Sequence, residues 1–117
     1  MNKTIVDSNV ILGFLVRNEN LFGEALDEYD ELIIPNQVVF EVGYVLDKQY
    51  GLGREKIVNV LVKLLQERKI FCERQVIINS LLRYRDNTRL SLVDCYLKEL
   101  ATTLKCDVLT LDRELNK

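Results

Sequence analysis

Short apolar blocks separated by polar or turn-forming residues run the length of the chain, and their spacing switches between two periods. Lys3–Val6 is a β-branched run that stops at Asp7, Ser8 and Asn9, side chains suited to capping a helix. The spacing then predicts helices over Val10–Arg17 and Leu21–Tyr29, and a short strand over Leu32–Ile34 stopped by Pro35, the only proline. A helix over Val38–Gln49 breaks at Gly51 and Gly53. A long helix follows over Glu55–Arg68, with Ile57, Val58, Leu61, Leu64 and Leu65 at helical spacing. Ile70–Cys72 reads as a third strand, Val76–Arg85 and Ser91–Leu104 as helices, and Asp107–Leu111 as a last strand ending at Asp112. Strands alternating with helices predict an α/β fold, with a short parallel sheet covered on both faces.

That architecture gives four acids a shared address. Ligands of an open parallel sheet bind beyond the carboxyl ends of its strands. Asp7 closes the first strand and Asp112 follows the last. Asp94 lies in the first turn of the helix that begins near Ser91, and Glu41 in the first half of the helix after Pro35. Two readings stay open for each. Asp7 and Asp112 could be helix caps, and Ser91-Leu-Val-Asp94 matches a capping box, with Lys98 four residues further on as a partner for Asp94. Glu41 and Asp94 also stand at the margins of apolar stripes, where an unpaired carboxylate would be costly unless a lysine such as Lys48 or a cation neutralises it.

Composition narrows the chemistry. The 117 residues, 48% of them hydrophobic, are expected to form one domain over 1–117. Histidine is absent, which excludes His acid–base pairs, His-assisted nucleophiles and His-ligated metals. A cluster of Asp and Glu without His or Cys is an oxygen-only site suited to Mg²⁺ or Mn²⁺, and its natural chemistry is metal-assisted hydrolysis of a phosphodiester. The net charge of −2 says nothing of partners. Cys72, Cys95 and Cys106 show no CxxC spacing and read as reduced, mostly buried side chains of a cytoplasmic protein. The longest apolar stretch, Val10–Val16, spans seven residues, too few to cross a membrane.

At these residues the sequence resembles the PIN-domain ribonucleases, in particular the short VapC-like toxins of type II toxin–antitoxin pairs. The family's opening strand running into Asp-Ser/Thr-Asn-Val stands here as Ile5-Val6-Asp7-Ser8-Asn9-Val10. Its Glu in an apolar helix is matched by Val38-Val39-Phe40-Glu41-Val42, its Ser-x-x-Asp by Ser91-Leu92-Val93-Asp94, and its Thr/Ser-x-Asp by Thr110-Leu111-Asp112. The resemblance runs in order over the whole chain. It implies a three-layer α/β/α sandwich and an endoribonuclease holding Mg²⁺ or Mn²⁺ between Asp7, Glu41, Asp94 and Asp112. Asn9, Thr110 and Ser91 would orient those carboxylates or bound water. It also implies dimerisation and capture of an amphipathic segment of a cognate antitoxin. The family usually adds a final strand, whereas this chain ends five residues beyond Asp112, which leaves open a missing edge strand.

Candidates for contact with RNA phosphates are Arg17, Lys48, Arg89 and Arg113, together with Arg83-Tyr84-Arg85, where an aromatic between two guanidiniums could clamp a single strand. Gly51-Leu-Gly53 before Arg54 reads as a helix–helix turn rather than half a phosphate loop. Val60 and Val62 widen the apolar arc of the long helix, which is expected either to be deeply buried or to meet a second chain. Two other classes remain: a catalytically silent PIN-like module that binds RNA or protein, and a phosphoacceptor receiver domain. The latter needs a lysine where Arg113 stands.

Overall fold

Parallel pairing of three very short strands organises the first part of the chain. In the computed structural model, which describes residues 2–116, β1 (Lys3–Ile5), β2 (Glu31–Ile33) and β3 (Ile70–Phe71) form one sheet in that order. Thr4 lies beside Leu32, and Leu32 beside Ile70, so the fully buried Leu32 is the centre of the sheet. Helices α1 (Ser8–Val16) and α2 (Leu21–Glu28) connect β1 to β2, and α3 (Asn36–Lys48) and α4 (Arg54–Leu65) connect β2 to β3. Helices α5 (Arg74–Asp86) and α6 (Leu92–Leu104) follow. The α/β class expected from the alternation is what the chain forms.

The backbone divides into two compact units, one up to Arg74 and one from Gln75 onward. The first holds the sheet and α1–α4. Its core is mostly aliphatic: Ile34, Val39, Val42, Leu46, Ile57, Val58, Leu61 and Leu65 are all nearly inaccessible to water, and Phe22 of α2 is buried as well. α3 packs on both α1 and α4. The turn between α3 and α4 needs Gly51, whose φ of 65° lies in the left-handed region, and the Leu52 amide closes it by donating to the Leu46 carbonyl at 3.0 Å. Side chains finish two helix ends. Arg74 Nε donates to the Leu65 carbonyl at 2.9 Å and its Nη2 to the Ile70 carbonyl at 2.7 Å, while Lys69 donates to the Leu26 carbonyl. α4 ends at Leu65 rather than at Arg68, with the Leu65 carbonyl capped by the Arg74 side chain.

The second unit holds α5 and α6, with Ile77, Leu81, Tyr84, Leu90, Cys95 and Leu115 buried. α6 ends at Lys105 in the left-handed conformation, φ 57°. The strand expected over Asp107–Leu111 does not form. The segment is irregular, and the Leu109 and Leu111 side chains are fully exposed, at 103%. β-propensity is realised only where a strand finds a ladder and its alternate side chains find cover. Here the two leucines are the residues facing water, with Val108 and Thr110 half-covered. The cysteines also depart from expectation: only Cys95 is buried, Cys72 is half-buried and Cys106 is exposed.

Candidate active site

Because β1 and β2 run parallel, the helices after them start at the same end of the sheet. α1 opens three residues after Ile5 and α3 three residues after Ile33. Asp7 stands at that end as the residue before α1, with extended backbone (φ −80°, ψ 154°). Asp is among the strongest helix caps, and here it does not cap. Its side chain makes no cap hydrogen bond, and only its backbone carbonyl is used, accepting from Val10 N at 3.1 Å. The exposed Asp7 carboxylate has no hydrogen bond or ion pair among the described residues. Ser8 beside it is buried and Asn9 exposed.

Glu41 comes five residues into α3, roughly 7.5 Å along its axis at 1.5 Å per residue. The burial of α3 is cleanly sided. Val39, Val42, Gly43 and Leu46 face the core, while Gln37, Glu41, Tyr44 and Lys48 form the exposed stripe. Glu41 is therefore on the water side, not at the margin of the apolar face, and it bears no burial cost. Lys48 does not neutralise it: its ammonium pairs with Asp47 at 3.6 Å. Glu41, like Asp7, has no hydrogen bond or ion pair among the described residues.

In the second unit the local reading of the acids holds. Asp94 completes the capping box of α6. Its Oδ2 accepts from Ser91 N at 3.1 Å, and its own N–H donates to Ser91 Oγ at 3.1 Å. Asp112 organises the last turn, its Oδ1 accepting from Glu114 N at 2.8 Å and Leu115 N at 3.4 Å. Thr110 Oγ1 accepts from Asp112 N at 3.0 Å. Each carboxylate thus commits one oxygen to backbone amides. Among the described residues, no group of three or more Asp, Glu or Cys side chains could hold a metal ion. The donor chemistry, all oxygen and no histidine, does suit a hard divalent cation.

Most of the candidate cations are engaged. Arg83 pairs with Glu99, Arg89 Nη1 lies 3.2 Å from Glu114, and Arg85 Nε donates to Asp86 Oδ1 at 2.8 Å, holding that carboxyl below its ordinary pKa. Arg17 Nε donates to Tyr50 Oη at 3.1 Å, which raises the guanidinium pKa further. Arg113 has no ion pair or hydrogen bond among the described residues. The expected Arg83-Tyr84-Arg85 clamp is not available, because Tyr84 is buried at 4% exposure and presents no ring face to a base. An aromatic passed over in the sequence is available instead: Tyr44, 64% exposed, three residues from Glu41 on the same stripe. The spacing Gln37, Glu41, Tyr44, Lys48 was its signal.

Two comparisons with known proteins bear on these residues. No curated protein matches the chain closely enough to count as a relative. The PIN domain profile matches residues 4–117, nearly the whole sequence. The chain belongs to the PIN-domain family.

Proposed function

We propose that the chain is a Mg²⁺- or Mn²⁺-dependent endoribonuclease whose metal-holding residues are Asp7, Glu41, Asp94 and Asp112, and that it serves as the toxin of a type II toxin–antitoxin pair. PIN domains are in general nucleases. The observation that carries the assignment is Asp7. A carboxylate in a capping position that leaves the helix amides alone, in the strand-to-helix motif of the family, is held for something other than the helix. Glu41 supports the reading in the same way, as an uncommitted acid on an exposed helix face. Asp94 and Asp112 would offer the oxygen that their caps do not use, and Asn9, Ser91 and Thr110 would orient the acids. A bound divalent ion would lower the pKa of a water and offset charge on the leaving oxygen. With no histidine in the chain, the attacking water's proton would go to a carboxylate oxygen, and cleavage would leave 5′-phosphate and 3′-hydroxyl ends.

RNA is the substrate in this reading, and the partners are a second copy and an antitoxin. What supports a protein partner is a mainly apolar groove of about 370 Å³ in the first unit, lined by Phe14, Leu15, Phe22, Leu26, Val60 and Leu64 together with Lys63 and Glu67. The half-buried Val60 belongs to the widened arc of α4. The second reading, a silent module that binds RNA or protein, is favoured by the caps that Asp94 and Asp112 already make. Cleavage of single-stranded RNA in Mn²⁺ separates the two. Asp7→Asn should lose about a hundred-fold or more in rate, the worth of several kcal/mol of charge stabilisation, with an unchanged circular dichroism spectrum. Full activity in purified Asp7→Asn would refute the assignment, and absence of Mn²⁺ binding by calorimetry would favour the silent module.

A further inference from the structure

The exposed stripe of α3 carries more than an acid. Along it stand Glu41, Tyr44 and Lys48, separated by about 4.5 Å and 6 Å of helix rise. Tyr44 is the most exposed tyrosine or phenylalanine of that helix, and its ring has no aromatic neighbour or hydrogen bond among the described residues. Among the described residues Lys48 is held by an exposed contact with the adjacent Asp47, an interaction that water and salt largely cancel. A second cation is kept at the same end of the helix. Arg17 reaches Tyr50, just beyond the C-terminus of α3, and uses only Nε to do so. One helix face therefore offers, in order, an uncommitted carboxylate, a bare aromatic face and a cation, with a further guanidinium at its end.

We infer that Tyr44 is a substrate-binding residue on which a base of single-stranded RNA stacks, with Lys48 contacting the adjoining phosphate. The inference rests on the RNA-cleaving reading above and extends it from chemistry to substrate form. An aromatic face accepts any base that is free of its neighbours, whereas a base inside a duplex has both faces covered. Tyr44 consequently selects unpaired RNA, and does so without reading sequence. Its ring is the sorbent and Lys48 the electrostatic anchor.

The test uses the full chain in EDTA, so that nothing is cleaved, with fluorescence anisotropy of an end-labelled oligoadenylate and of the same strand annealed to oligouridylate. Tyr44→Ala should weaken single-strand binding about five-fold or more, Tyr44→Phe should restore it, and duplex binding should not respond. Lys48→Gln should weaken binding while reducing the slope of log K against log salt by about 0.7. Equal single-strand affinity for wild type and Tyr44→Ala overturns the inference, as does an equal loss on the duplex or no binding of the single strand at all. Cleavage in Mn²⁺ is scored separately. Tyr44-dependent binding without cleavage keeps the stacking role and removes the nuclease; cleavage indifferent to Tyr44→Ala does the reverse.

Discussion

Burial pushes the Cys72 thiol above its ordinary pKa, while Cys95 is buried outright and Cys106 stands in water. The thiolate is the reactive form, so these surroundings rank the three. A chromogenic disulfide reagent should titrate Cys106 first and Cys72 more slowly, with a rate that rises only at higher pH, and should reach Cys95 only in denaturant. Fast release of three equivalents from native protein would contradict the ranking. The sign for stability follows from the same shift. Above the ordinary thiol pKa the unfolded chain gives up the Cys72 proton more readily than the folded one, so stability falls as pH climbs through that window. Cys72→Ser should flatten that decline in urea midpoints measured across alkaline pH. The carboxylates divide at this scale too: Asp94 and Asp112 are occupied by amides two or three residues away, and Asp7 and Glu41 by nothing described.

Among the elements, the capping box of α6 should be worth about 1 kcal/mol, so Ser91→Ala lowers the urea unfolding free energy by that amount. Two glycines should respond to different degrees. A Cβ on Gly13, inside α1, meets the movable Glu19 carboxylate but also Glu19 Cβ at 3.3 Å, which the bond from Glu19 N to the Gly13 carbonyl holds in place. This crowding offsets the roughly 0.5–1 kcal/mol of helix propensity, and Gly13→Ala changes stability little. Gly51 has open space around it but a left-handed backbone, and Gly51→Ala loses about 1 kcal/mol. Thermal melts of the pair check both. Helices and strands of the first unit were legible because their apolar spacing coincides with burial: Ile57, Val58, Leu61, Leu64 and Leu65 are all buried on α4 as their spacing demands. The Ser91–Asp94 box was legible as a local motif. The exposed position of Glu41 was not, because a stripe margin in sequence is decided by which neighbouring helix covers it. Asp107–Leu111 misled for a related reason: its β-forming side chains specify a strand only when a ladder receives them. The helix end tied by Lys69 depends on a contact 43 residues distant, which no window along the chain can register, and the one tied by Arg74 on a side-chain-to-carbonyl bond that hydrophobic periodicity does not encode.

At the scale of the whole chain, the path leaving α6 is little sheltered by structure. Residues 106–111 form no regular element, and Leu104, Leu109 and Leu111 are exposed. Chymotrypsin or thermolysin at low dose should make its first cut there, detected by mass spectrometry; a first cut within the turn at 49–53 would show that the Gly51 connection opens more easily. The two fully solvated leucines have a further, colloidal consequence. Covering a leucine is favourable by about 1.5–3 kcal/mol, so molecules of this protein carry a small adhesive whose strength grows with any solute excluded from its surface. Ammonium sulfate should precipitate the native chain at a lower concentration than a Leu109→Ser, Leu111→Ser variant.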